Sequence, residues 1–213
     1  MRSFWLWFEL IAIYTGVPLA LAAWQPPRPL LYILLWLMVA YGILILRRNP
    51  EFSWRRIWHG VEWPLYEKRQ ALLRHLIISL TAIGAIAVFA QPLLFSFPLQ
   101  RPGLWLMVML LYPILSALPQ EIVFRVFFLE RYRPLFKNER LLMIYNVLCF
   151  SALHVMFNNW VAPLLSAIGG MIFLDSYRQH RALKWIALEH AAYGCMIFTV
   201  GLGRYFFFNS AHP

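Results

Sequence analysis

The order of apolar and polar positions divides the chain into seven long apolar runs, at about 4–23, 30–46, 76–95, 104–129, 141–157, 161–177 and 183–202. Each run is continuous, whereas a membrane barrel needs strands that alternate between lipid-facing and lumen-facing residues. One crossing takes about 20 apolar residues as a helix. The pattern therefore predicts an all-α polytopic transmembrane bundle of about seven spans. Pro18, Pro92 and Pro113 lie inside or at the edges of runs, where proline kinks or ends a helix. Between the second and third runs, Trp54, Ile57, Trp58 and Val61 recur at helical spacing, with Arg55, Arg56 and His59 elsewhere around the turn. That segment predicts a short amphipathic helix lying on the membrane surface.

Composition agrees, with 62% hydrophobic and 13% charged residues, far from the balance of a soluble domain. Residues 1–213 are read as a single integral membrane domain, since the spans leave no room for a separate soluble one. Charge adds an orientation. Seven of the 19 Lys and Arg residues lie in 47–74, four in 131–140 and three in 178–184, whereas the loops between hold only Arg28 and Arg101. By the positive-inside rule the rich loops are cytoplasmic, the N-terminus is inside and the C-terminus outside, in a membrane expected to be the bacterial inner membrane.

The net charge of +10 flanks apolar spans and forms no basic domain of its own. Anionic lipids on the cytoplasmic side are therefore the expected partner, and nucleic acid is not. Trp24, Trp105, Trp160 and Trp185 stand near span ends as interfacial anchors. Arg2 and Ala20-Leu21-Ala22 imitate a cleavable signal peptide, but the length of the first run and Glu9 within it favour a retained helix. Cys149 and Cys195 fall inside runs and read as small apolar fillers.

Against this background the polar residues at membrane depth stand out: Glu121 and Arg125 in the fourth run, His154 in the fifth and His190 in the seventh. Ionisable groups there are costly unless paired or used. Four residues apart on one helix, Glu121 and Arg125 can face each other, either as a structural ion pair or as a carboxylate held ionised to act as a general base. The two histidines and the carboxylates, with Glu189 beside His190, are ingredients of a metal site or of a water-activating site. At about 1.5 Å per residue, His190 lies about 9 Å deep and His154 about 20 Å, so the fifth span starts late or the helices tilt around a deep cavity. Asp175 reads as a cap with Tyr177 and Arg178, Asn158 and Asn159 as a turn, and His59, His75, His180 and His212 as solvated loop or tail residues. Glu9 either pairs with a neighbouring helix or faces a lipid interface.

Gln120-Glu121-xxx-Arg125, Phe150-xxx-His154 and His190-xxx-Gly194, in that order on separate spans, resemble the CPBP family of intramembrane proteases. That family includes type II CAAX prenyl endopeptidases and Abi-type bacterial proteins linked to bacteriocin self-immunity. The likeness covers a core of about 104–205, including Gly169-Gly170 before Phe173. It implies that Glu121, Arg125, His154 and His190 form the active centre, with a glutamate-activated water cutting a peptide bond of a membrane-associated protein. It also implies that His154 and His190 either hold zinc or another divalent metal or stabilise the oxyanion without one.

Two positions depart from the family pattern: Gln120 stands where the first glutamate of a pair is expected, and Gly194 where an asparagine is. Glu189 is an additional carboxylate available in compensation. A CPBP-like protein that binds a membrane substrate or partner without cutting it, and a proton-coupled transporter of small solutes, are the alternative readings.

Overall fold

The structure, a computed structural model, describes residues 2–207, and His212 lies outside them. Among the described residues the chain is helical throughout, with no strand. Helix α1 runs through Arg2–Ile11, a π-helical stretch Ala12–Gly16 and Val17–Trp24. There follow α2 (Arg28–Leu46), the short α3 (Trp54–His59), α4 (Leu65–Phe89) and the short α5 (Ser96–Gln100). Helix α6 starts at Pro102–Tyr112, passes through two π-helical stretches, Pro113–Ala117 and Ile122–Phe127, and ends with Phe128–Tyr132. Helix α7 is Glu139–Leu153 with a 3-10 turn His154–Phe157, and α8 (Val161–His180) and α9 (Leu183–Val200) complete the bundle.

Seven long rods thus occupy the places of the seven apolar runs. Five of them, Ser3–Trp24, Pro29–Leu46, Leu65–Phe89, Pro102–Leu135 and Glu139–Phe157, are long and apolar enough to cross a membrane. The other two, α8 and α9, are long enough but carry Asp175, Arg178, Lys184, Glu189 and His190, which lower their apolarity. The third rod differs from expectation, beginning at Leu65 instead of 76 and stopping at Phe89. Pro64 opens it, and Pro92 lies in the 3-10 turn Gln91–Leu93 just beyond its end.

Two of the π stretches have a local cause. A proline has no N–H for the carbonyl four residues back and pushes against it. Pro18 opposes Tyr14 within Ala12–Gly16, and Pro119 opposes Leu115 within Pro113–Ala117. The third, Ile122–Phe127, has no such proline and contains Arg125. Side chains meet its carbonyls instead: the Tyr14 hydroxyl donates to Val123 at 3.0 Å, and the Asn146 amide donates to Phe124.

The centre of the bundle is α6, in which every residue from Pro119 to Leu129 is buried. Tyr14 packs edge-on against Phe124, Phe128 and Tyr132, tying α1 to it. By contrast α4 has Ile86 as its single buried residue.

Several loop expectations are corrected at the basic end of the bundle. His180 is buried at the end of α8, with Nε2 2.7 Å from Glu67 and its ring against Trp63. His75 lies within α4 and meets the ring of Tyr193. Helix α3 is shorter than its sequence pattern: Ser53 caps it, Ile57 is buried, but Gly60 ends it and Val61 is exposed. Gly60 has a positive φ of 57°, and its Cα packs so closely on His180 and Ala182 that no side chain fits there. Asp175 accepts from Gln179 at 2.8 Å rather than capping with Tyr177 or Arg178. The Asn158-Asn159 turn forms as expected, Asn158 taking a left-handed conformation and Asn159 accepting from the Ala162 N–H.

Candidate functional site

Arg125 is fully buried, so every polar atom around it matters. Its guanidinium donates to Asn146 at 2.7 Å and to the Gly170 carbonyl at 3.3 Å, and its Nε lies 3.3 Å from Glu121 Oε2. That last approach is electrostatic, for neither atom makes an aligned hydrogen bond. The guanidinium also lies over the ring of Phe150, 4.9 Å from its centroid. Glu121, equally buried, uses its other oxygen, Oε1, to accept from His190 Nδ1 at 2.8 Å.

His190 is held on several sides. Its ring stacks on Phe173 at 4.6 Å and 17°, and meets the rings of Phe150 and Tyr112 nearly edge-on. His154 Nδ1 donates to the Phe150 carbonyl at 2.9 Å. A carbonyl and a carboxylate only accept, so Nδ1 is the donor in both rings, and in the neutral imidazole Nε2 presents a lone pair. Phe150 touches both imidazoles, at 5.2 Å and 5.7 Å. Helix α7 starts at Glu139, earlier than expected, so a late start does not reconcile the two depths; a deep cavity that both histidines reach does.

That cavity has a volume of about 710 Å³ and is lined mainly by aliphatic and aromatic side chains. His154, His190, Gln120 and Gly194 line it, whereas Glu121 and Arg125 stand behind the wall. Gln120 therefore faces the cavity directly; its amide donates to Ser116 at 2.8 Å and its Oε1 is buried without a partner. Glu189 does not compensate for it. Its carboxylate pairs with Arg74 of α4, beside Ser176, and it does not line the cavity. Neighbouring helix positions point about 100° apart, which sends Glu189 away from the face that carries His190.

The donors do not fit a metal centre. Among the described residues no three His, Cys, Asp or Glu side chains come together, and Glu121 is already shared between Arg125 and His190. A zinc ion needs three protein ligands in a catalytic site, and only two imidazole nitrogens are free to serve.

Three contributors escaped the sequence reading. Asn146 binds both Arg125 and the π stretch, while Tyr112 and Ser116 line the cavity with Gln120. Spacing would have found them: Asn146, Phe150 and His154 are four apart, as are Tyr112, Ser116 and Gln120, each set on one helix face.

Residues 102–196, a little under half of the chain, match the family model described as type II CAAX prenyl endopeptidase, Rce1-like. The match bears out the resemblance to the CPBP and CAAX protease family. It contains Glu121, Arg125, His154 and His190. No curated protein and no solved structure matches the chain.

Proposed function

We propose that the protein is an intramembrane endopeptidase in which Glu121 acts through His190 on a water in the cavity. The observation that carries this reading is the 2.8 Å hydrogen bond from His190 Nδ1 to Glu121, with the same imidazole in the cavity wall. His190 Nε2 takes a proton from water as the oxygen attacks a peptide carbonyl, and Glu121 orients the ring and offsets the charge of the imidazolium. Arg125 stands against Glu121, and Asn146 and Gly170 keep Arg125 in place. The glutamate thus activates water through the imidazole, the Glu121 carboxylate being cut off from the cavity. His154 Nε2 is a second acceptor, suited to the nucleophilic water.

The apolar cavity suits a membrane-associated polypeptide, and the name of the matched family makes a CAAX prenyl protein the first substrate to test. The basic end of the bundle faces the cytoplasm and its anionic lipids in this reading. One observation favours the non-cleaving alternative: an amide, Gln120, lines the cavity where an acid could have activated water directly. Cleavage of a prenylated CAAX peptide and of a membrane-peptide library by the detergent-purified protein decides between them. Hydrolysis by the wild type, abolished in Glu121→Gln and unaffected by chelators, is expected. Binding without hydrolysis would leave the non-cleaving protein as the answer.

A further inference from the structure

The proposed attack converts a carbonyl oxygen into an oxyanion, and such a charge in an apolar cavity needs a hydrogen-bond donor aimed at it. The obvious groups cannot give one. Both histidines spend their hydrogens on Glu121 and Phe150 and turn acceptors toward the cavity. The donors of Arg125 are enclosed behind the wall.

Other donors line the cavity, among them Ser116, Ser166, Tyr193 and the second N–H of Gln120, and Tyr112 is distinguished from them by its ring against His190. It lines the cavity, its ring centroid is 6.1 Å from that of His190, and its hydroxyl makes no hydrogen bond among the described residues. Gly194 explains how it gets there. This residue follows His190 by one helical turn and so shares its face. A Cβ at Gly194 would collide with the phenol ring and its hydroxyl. Only glycine at 194 lets the tyrosine close on α9 beside His190.

We propose that Tyr112 is a catalytic residue whose hydroxyl donates to the oxygen of the scissile carbonyl, in the space that Gly194 leaves open. The proposal rests on the proteolytic reading above. Water oxygen bonds to the carbonyl carbon and its proton goes to His190 Nε2. The carbonyl π pair moves onto oxygen, which accepts from Tyr112 Oη–H without taking the proton. Collapse re-forms the carbonyl, breaks the C–N bond and returns the proton from His190 to the departing amine.

The test compares Tyr112→Phe and Gly194→Ala with wild type, as full chains in detergent. It measures turnover of the membrane peptide and binding of a peptide aldehyde, whose hydrate is tetrahedral, against the matching alcohol. The expected result for Tyr112→Phe is a fall in kcat of about 10²–10³-fold at unchanged KM, the cost of losing one oxyanion donor. Its preference for aldehyde over alcohol falls at least about tenfold, for the same reason. Gly194→Ala behaves alike, because it displaces the phenol while keeping its chemistry. Retained alcohol binding verifies that each variant is folded. An unchanged aldehyde preference in Tyr112→Phe, or none in wild type, overturns the role of Tyr112. A wild type that cleaves nothing yet shows a Tyr112-dependent preference sinks the proteolytic reading while keeping this contact.

Discussion

Glu9 and Glu121 look alike in the sequence: each is a carboxylate in an apolar run, and each ends up beside an arginine. Their surroundings differ in kind. Glu9 accepts from Arg131 at both oxygens, at 3.1 Å and 2.7 Å, and from the Tyr132 hydroxyl at 2.9 Å. The pair keeps some solvent access, with 27% and 16% of the two side chains exposed. A bidentate pair with its lone pairs occupied is a clasp, here joining α1 to the end of α6. Glu121 has no exposure, only an unaligned approach to Arg125, and a histidine that reaches a cavity. Burial of an incompletely satisfied carboxylate costs stability, and its connection to the cavity is what it supplies in return.

The sharpest way to break this contrast is to neutralise each carboxylate. Glu121→Gln should lower kcat/KM by about 10³–10⁴-fold, as when a histidine loses the acid that orients it, whereas Glu9→Gln should stay within about threefold. Comparable losses in the two variants, measured as initial cleavage rates, would erase the distinction. In the proposed mechanism Glu121 and His190 act as one unit, so the double variant Glu121→Gln, His190→Ala should be no more than about tenfold worse than the poorer single one. Multiplying effects would mean that the two residues work separately.

Stability gives the next measure. Arg125→Met strands a carboxylate with no exposure and should cost about 3–5 kcal/mol. Arg131→Met leaves Glu9 with Tyr132 and partial solvent, and about 1–2 kcal/mol is expected. Chemical unfolding in mixed micelles checks the order, and equal losses would contradict it. The smallest effect is at Tyr14. Tyr14→Phe removes one hydrogen bond to Val123 but keeps its aromatic contacts, so about 0.6–1 kcal/mol should be lost with activity nearly intact. A large loss of activity would mean that the π stretch carrying Arg125 depends on that single bond.

Much of the site was legible because helix geometry is regular. Glu121 and Arg125 had to face each other at a spacing of four, and the two histidines were conspicuous in apolar runs. The same rule applied to amides and hydroxyls would have revealed Asn146, Tyr112 and Ser116. The position of Glu189 was not legible. Its neighbour His190 faces the cavity, but the reach of Arg74 from a helix over a hundred residues earlier in the chain gives Glu189 a different partner. His180 misled for a similar reason: a polar loop sequence did not reveal Trp63 and Glu67 waiting to enclose it.

The sequence by itself determined the helical membrane bundle, the seven rods, the resemblance to a protease family and the four polar residues, since these follow from periodicity, apolar length and the order of motifs. Tertiary structure alone decided that Gln120 lines the cavity while Glu121 stands behind it, that Glu121 meets the cavity through His190, and that Gly194 admits Tyr112. Periodicity tells which residues share a helix face, but not which other helix lies opposite that face.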